Sequence, residues 1–191
     1  MTIIDDDIVS LSNLHRQILF SEADIDIPKV YVAKAKLKAI NSTAKIDAIW
    51  DRLTLKNAQN LIANHDLVIM GCDNFETRIL VSKMCRDNDV KYINASVLGD
   101  EGNIAYYDNQ HNCYMCNTPS NDDLLQIPDP MSVGVLGPMV GVIGTMAATM
   151  AVEVLIGNDA PYYNRIYTFD SRTLKIKDFP LEKSINCTVC Y

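Results

Sequence analysis

The chain has 191 residues, is 48% hydrophobic and carries 24 acidic against 17 basic residues, a formal net charge of -7 at pH 7. This length and composition suit one globular domain over residues 1–191. The acidity argues against a nucleic-acid partner, because neutralising phosphates needs clustered Lys and Arg. MTIIDDD has no basic region before its apolar residues, so we expect no signal peptide and a cytoplasmic protein.

Strand-like and helix-like apolar patterns alternate along the first hundred residues. We expect strands at 1–4, 46–50 and 66–71, and helices after Pro28, from Leu55 and over 75–87. The runs VKYINASV and GNIAYYD then predict two more strands around a turn at LGDEG. Alternation of this kind is typical of parallel sheets with helical crossovers. The fold class is therefore α/β, with a doubly wound, Rossmann-like and mainly parallel sheet.

The second half of the chain is less regular. Residues 109–133 are rich in Asn, Asp, Pro and Ser, which predicts a long crossover loop within the domain, and long loops tend to be functional. The apolar run 138–157 contains Glu153 and many small residues, so we interpret it as a buried or subunit-interface helix rather than a membrane span. RIYTFDSRTLKIKDFPL predicts two antiparallel strands around a turn at Ser171 and Arg172.

Polar residues follow two of the predicted strands. DDDIVSLSNLHRQ follows the first strand, and GCDN follows the strand at 66–71. Ligands of open parallel sheets bind beyond the carboxyl ends of the strands. Asp5 is placed to accept hydrogen bonds from a ribose, although capping a turn explains it equally well.

Three residues point to phosphate and one to a metal. Lys29 falls in the first turn of a predicted helix, where a cation is unfavourable, so we expect an anion such as a phosphate chain beside it. Arg16 and Asn13 are further donors for phosphate oxygens. A solvated lysine and an arginine paired with a nearby Asp are the alternative. Asp73 suits Mg²⁺, or it caps the helix that begins near Phe75.

Two CxxC motifs are the most specific local signal. CYMC contains Cys113 and Cys116, and CTVC contains Cys187 and Cys190. Four thiolates suit a closed tetrahedral Zn²⁺ site, and a chain without a secretory signal favours zinc over disulfides. The motifs lie too far apart for a compact zinc ribbon. We expect the metal to join the crossover loop to the C-terminal tail.

Taken together, SLSNLHRQILF, the lysine at the next helix start, the strand ending in CDN, the run GVLGPMVGVIG and the paired CxxC motifs resemble one family. It is the ThiF/MoeB/HesA adenylyltransferases, which are related to ubiquitin-activating enzymes. The resemblance covers nearly the whole chain. It implies a homodimer that uses ATP and Mg²⁺ to adenylate the C-terminal glycine of a ubiquitin-like sulfur-carrier protein, as in molybdopterin or thiamine biosynthesis.

The resemblance also implies roles for residues. Asp5 would hold the ribose, Arg16 and Asp73 would be catalytic, and Asp73 would hold the metal. In homodimeric members the arginine of the SNLxRQ loop reaches across to the partner's site, so Arg16 is a candidate for action in trans. The remaining nucleotide-binding residues implied are Asn13, Gln17, Lys29 and Asn74.

Two features depart from the family pattern. The glycine-rich GxGGxG loop that follows the family's first strand is absent, so we expect this chain to be an N-terminally truncated piece of a longer protein, with ATP binding impaired without that loop. No cysteine occurs between Asn117 and Val133, which favours a MoeB-like enzyme whose reaction stops at the acyl-adenylate.

Two other interpretations remain open from the sequence. One is a catalytically inactive scaffold subunit that binds a carrier or an active partner, and the missing glycine loop favours it. The other is an NAD-dependent oxidoreductase, since an acid after an early strand also suits NAD. The oxidoreductase leaves Arg16, Lys29 and the CxxC motifs unexplained.

Overall fold

The computed structural model describes residues 1–116 and 133–190. Most of the predicted crossover loop, 109–133, therefore lies outside the described residues. The chain divides into two compact units, Met1–Thr54 and Leu55–Tyr191.

The first unit is a strand–helix–strand motif. Strand β1 (Thr2–Ile4) and strand β2 (Asp47–Ile49) pair in parallel, with Thr2 opposite Asp47. Helix α1 (Lys29–Ile40) lies between them in the chain and begins directly after Pro28, as its sequence predicts. A parallel pair needs a long crossover connection, and α1 is part of it.

The second unit contains the remaining three helices and five strands of the described chain. In chain order they are α2 (Leu55–Ile62), β3 (Leu67–Met70), α3 (Phe75–Asp87), β4 (Lys91–Leu98), β5 (Glu101–Tyr107), α4 (Gly137–Leu155), β6 (Arg165–Asp170) and β7 (Lys175–Pro180). Each lies where the sequence pattern places an element of that type.

The five strands of this unit form one sheet in the order β3-β4-β5-β6-β7. Only β3 and β4 pair in parallel, while β4–β5, β5–β6 and β6–β7 are antiparallel. The sheet is therefore mixed rather than mainly parallel. For β4 and β5 the reason is the short connection Gly99–Asp100, because strands joined by two residues can only run antiparallel. Gly99 has φ +59, a conformation that suits glycine.

Helix α4 covers this sheet with one face. Ala147, Met150, Ala151 and Val154 form a buried cluster with residues of β4 and β5 such as Ile93. The opposite face carries exposed apolar residues, so the helix is only half buried. In the part of the chain that the structure describes, α4 alone is long and apolar enough to cross a membrane. A helix that packs against the core of a sheet can have the same length and composition. The buried cluster shows that α4 packs against the sheet in this way.

Candidate functional site

The loop after β1 begins with Asp5. Its backbone N–H continues the strand ladder to the Ile49 carbonyl at 3.3 Å, and its Oδ1 accepts a hydrogen bond from the backbone N–H of Asp7 at 2.8 Å. This is an Asx-type turn. One carboxylate oxygen of Asp5 therefore caps a turn, as the alternative interpretation of this residue expects. Asp5 is half-buried.

Lys29 has its anionic partner within the same unit. Its Nζ donates to Asp7 Oδ2 at 2.5 Å, and its backbone N–H donates to the Asp7 carbonyl at 3.1 Å. The hydrogen bond from Lys29 lowers the pKa of the Asp7 carboxyl below its ordinary value. A nearby acid thus compensates Lys29 in this structure, so Lys29 is not the solvated lysine of the alternative interpretation. Asp7 lies in DDDIVSLSNLHRQ, but no role beside Lys29 is predicted for it from the sequence.

The SNLHRQ loop contains three predicted ligands of phosphate or nucleotide. Asn13 is buried, and its Oδ1 accepts from the Ser10 N–H at 3.3 Å. Arg16 Nη1 donates to the Ser12 carbonyl at 3.0 Å and lies 2.8 Å from His15 Nε2. Gln17 Oε1 is buried and has no hydrogen-bond partner among the residues that the structure describes.

The guanidinium of Arg16 makes no ion pair with a carboxylate among residues 1–116 and 133–190. The alternative in which Arg16 pairs with a nearby Asp is therefore not the arrangement seen. A guanidinium has five N–H donors, so Arg16 keeps donors for an anionic ligand.

In the second unit, the loop after β3 presents Asp73 and Asn74. Asn74 is the N-cap of α3, since its Oδ1 accepts from the Thr77 N–H at 2.8 Å. The N-cap of α3 is therefore Asn74, one residue after Asp73, for which the sequence allowed a capping role. Asp73 is exposed and makes no hydrogen bond or ion pair within the described residues. Its carboxylate is available to a ligand.

Arg78 and Asn94 fix this loop, and neither was predicted from the sequence to do so. Arg78 Nη2 donates to the Cys72 carbonyl at 2.6 Å, and Nη1 donates to Asn94 Oδ1 at 2.8 Å. Asn94 is buried in β4. A buried Asn inside the β-rich run KYINASV is the signal that could have revealed this pair, because buried amides need partners. Arg78 holds the peptide that immediately precedes Asp73.

The four cysteines of the CxxC motifs meet in one cluster. Their Sγ atoms all lie within 4.8 Å of one another, with Cys113–Cys187 and Cys116–Cys190 at 3.4 Å and Cys113–Cys116 at 3.8 Å. A tetrahedral site with Zn–S near 2.3 Å separates its sulfurs by about 3.8 Å. The donor set and its spacing fit zinc.

These cysteines are free thiols, and their sulfur separations exceed the roughly 2.05 Å of a disulfide. Burial raises the pKa of the Cys113 thiol above its ordinary value and that of Cys190 to about 11. A thiol with a raised pKa releases its proton when a cation binds the thiolate. The cluster is a candidate metal centre.

The structure thus collects the predicted site residues into three groups. The predicted metal ligands form one cluster in the second unit. Asp73 and Asn74 lie together at the end of β3. Five predicted nucleotide ligands belong to the first unit, in the loop after β1 and at the start of α1: Asp5, Asn13, Arg16, Gln17 and Lys29.

The fold and these groups define an α/β Rossmann-like protein with polar loops after its parallel strands and a four-cysteine candidate metal centre. Comparison with known families makes the assignment more specific. Residues 1–189 match the ThiF family, and the chain belongs to this family.

Two curated relatives and one solved structure show the extent of the similarity. The chain is 33% identical over 192 residues to the sulfur carrier protein ThiS adenylyltransferase of Escherichia coli, covering 100% of this chain and 75% of that protein. It is 34% identical over 194 residues to the adenylyltransferase and sulfurtransferase MOCS3 of Arabidopsis thaliana, covering 98% of this chain and 41% of that protein.

The solved structure is that of E. coli MccB with ATP. It superposes with a TM-score of 0.81 at 25% identity, covering 100% of this chain and 58% of that chain. The chain therefore spans well under two thirds of MOCS3 and of MccB. The full activities of those longer proteins do not transfer directly to it.

Proposed function

We propose that this chain is an ATP-dependent adenylyltransferase that activates the C-terminal glycine of a small ubiquitin-like sulfur-carrier protein. The observation that carries this proposal is the 33% identity, over the whole chain, to a protein named for adenylating the sulfur carrier ThiS. The ThiF family match and the similarity to a structure of MccB with ATP support it.

The proposal assigns the loop after β1 and the start of α1 to the nucleotide. Asp5 accepts from the ribose hydroxyls, and its partly exposed carboxylate supports this role. Arg16 and Lys29 bind the phosphates together with the amides of Asn13 and Gln17. The Arg16 guanidinium, which has no carboxylate partner among the described residues, offers N–H donors that an anionic ligand would satisfy.

Asp73 is the residue that would hold Mg²⁺, with Asn74 beside it. An exposed carboxylate with no partner in the described chain is a suitable oxygen ligand for that ion. Mg²⁺ held there would supply positive charge that offsets the charge of the phosphates. Arg78 contributes indirectly, because its hydrogen bond to the Cys72 carbonyl fixes the peptide ahead of Asp73.

The chemistry is a displacement at phosphorus. A carboxylate oxygen of the carrier's terminal glycine forms a bond to the α-phosphorus of ATP, and the bond from that phosphorus to the bridging oxygen breaks, releasing pyrophosphate. Two anions must approach each other, so Arg16 and Lys29 serve to neutralise charge and to align the phosphates. The step needs no nucleophile from the protein.

Zinc at the four cysteines would be structural. A closed Cys₄ site has no open coordination position for a substrate. Its ligands come from two distant parts of the chain, so the ion would join the segment that contains Cys113 and Cys116 to the C-terminal segment.

ATP/pyrophosphate exchange tests the proposed function. We expect exchange that depends on a carrier, with a ThiS-type and a MoaD-type carrier assayed separately to identify the pathway. Asp73→Asn should abolish exchange. Asp87→Asn is the matched control, because it makes the same chemical change at the other end of α3, where Asp87 pairs only with Lys83 in the residues described.

Exchange that persists in Asp73→Asn would remove Asp73 from the mechanism. Binding of a carrier without any exchange would contradict the enzymatic proposal and would favour the scaffold interpretation.

A further inference from the structure

We propose that Asp7 competes with a polyphosphate ligand for Lys29. In the ligand-free protein the Asp7 carboxylate pairs with the Lys29 ammonium, and a polyphosphate displaces this carboxylate when it binds. This inference rests on the proposed function, which assigns Lys29 to the phosphates of ATP. It adds a residue that the sequence motifs did not indicate, and it gives that residue a defined energetic effect on binding.

The Asp7–Lys29 contact is built into the backbone of the first unit. The Lys29 side chain is only 11% exposed, and its Nζ lies 2.5 Å from Asp7 Oδ2. The Lys29 N–H donates to the Asp7 carbonyl at 3.1 Å. The neighbouring residues Ile8 and Pro28 form an antiparallel bridge, and Val9 donates to Ile27 at 2.9 Å. These bonds place Asp7 beside Lys29 without a ligand.

The Asp7 side chain, in contrast, is open to solvent. It is 58% exposed, and its second oxygen accepts only from the Ile8 N–H, at 2.9 Å, among the described contacts. An ion pair with one exposed partner is weak. A polyphosphate, with several charges, can therefore replace the carboxylate on Lys29 without breaking the backbone bonds that hold the segment.

At the start of α1, the Asp7 carboxylate and a phosphate of the ligand would compete for Lys29 rather than bind it together. Lys29 is the first residue of α1, where the positive end of the helix dipole favours one anion beside the ammonium. With Asp7 in place that position is already neutralised, and an incoming phosphate meets a like charge. If Asp7 only oriented Lys29 for the ligand, removing its charge would weaken binding instead.

Neutralising Asp7 separates these two cases. We expect Asp7→Asn to tighten the binding of MgATP to the full chain by about three- to fivefold, the size of effect that a partly exposed ion pair supports. Asp6→Asn is the matched control: it removes the same charge one residue earlier, where the carboxylate lies 3.9 Å from Arg52. We expect Asp6→Asn to change the affinity for MgATP less than about twofold, because salt screens the charge of an exposed carboxylate.

Isothermal titration calorimetry measures these affinities, and the Lys29→Met background completes the cycle. There Asp7→Asn should have no further effect on MgATP affinity. A second measurement needs no nucleotide: carbon NMR titration should show that the Asp7 carboxyl pKa rises towards its ordinary value in Lys29→Met.

Several results would overturn the inference. Equal tightening by Asp7→Asn and Asp6→Asn, weaker binding in Asp7→Asn, or an Asp7 pKa that does not respond to Lys29→Met would each do so. If MgATP binding depends on Lys29 but not on Asp7, the inference fails while the proposed function stands. If neither the wild type nor Asp7→Asn binds MgATP, both fail.

Discussion

Asp159 is a buried carboxylate held by three donors. Lys91 Nζ lies 2.7 Å from Oδ2, the Tyr106 hydroxyl donates to Oδ2 at 3.1 Å, and the Tyr163 hydroxyl donates to Oδ1 at 2.9 Å. The hydrogen bond from Lys91 is the largest cause that lowers the pKa of Asp159 to about 2. Because the folded pKa lies below the unfolded one, the carboxylate stabilises the fold above about pH 4, and this contribution is lost as the pH falls towards 2.

We expect Asp159→Asn to lower the free energy of unfolding by about 1–2 kcal/mol at pH 7, a value reduced for the partial exposure of Lys91. The difference from the wild type should shrink between about pH 4 and pH 2. Urea denaturation across this pH range measures it. The same substitution at the exposed Asp66 should have little effect at any pH, and a difference at Asp159 that is independent of pH would contradict the argument.

At the scale of elements, β5 and α4 approach each other closely at Gly102. A Cβ at this position would lie 2.3 Å from Ile143 Cγ1 and 3.2 Å from Met139 Cε. Gly102→Ala must therefore displace the stiff side chain of Ile143 or move the helix. We expect the free energy of unfolding to fall by about 1–3 kcal/mol, the usual cost of overpacking a core.

Gly144→Ala is the matched control for Gly102→Ala. No atom of the described part of the chain lies within 4 Å of a Cβ built on Gly144, which is inside α4. Alanine should stabilise the helix there by up to about 1 kcal/mol. Chemical denaturation of both variants would show opposite signs, and equal stability of Gly102→Ala and the wild type would show that the contact is not tight.

The four-cysteine cluster joins two segments that are distant in sequence. We expect about one zinc per chain by elemental mass spectrometry, since the cluster offers one set of four ligands. Cys190→Ser should reduce the zinc content and lower the thermal midpoint, because the C-terminal segment would lose its attachment. Cys72→Ser, outside the cluster, should keep the zinc. Full zinc occupancy in Cys190→Ser would contradict the assignment.

Element types and limits were largely predictable from the sequence. Hydrophobic period and turn residues located α3 at 75–87 and the hairpins around LGDEG and around Ser171 and Arg172. Strand direction was only partly predictable from the same patterns. The run DLVIMG, which forms β3, pairs in parallel with β4 as expected, but β5 is antiparallel to both β4 and β6, so the sheet of the second unit is not mainly parallel. Strands β5 and β6 lie far apart in the chain, and their local sequence patterns do not indicate the direction in which they pair.

The candidate site was predictable only where one residue type has one main use. The four cysteines meet as expected because CxxC pairs have few other roles in such a chain. Acids are less specific. Asn74 rather than Asp73 caps α3, and the acid that pairs with Lys29 is Asp7, for which the sequence predicted no such role. Both outcomes depend on backbone geometry within a few ångströms, which sequence spacing does not resolve.

At the scale of the whole molecule, we predict a homodimer in which Arg16 acts in the partner's site. Two observations support this prediction. Arg16 has no carboxylate partner in the described part of its own chain. Exposed apolar residues lie outside the buried face of α4 and directly after its end: Val152 is 58%, Leu155 is 59% and Ile156 is 65% exposed. Apolar residues clustered on one surface are typical of an interface.

Mixing two inactive variants tests this arrangement. In a dimer of Arg16→Ala with Asp73→Asn, one site combines Asp73 of the first chain with Arg16 of the partner subunit and is intact, while the other site has both defects. Equimolar mixing makes about half of the dimers mixed, so exchange activity should return to roughly a quarter of the wild-type value. If Arg16 acts within its own chain, every site keeps one defect and no activity returns. Sedimentation velocity on the same samples shows whether dimers are present, so that a lack of recovery in a dimeric mixture would assign Arg16 to its own subunit.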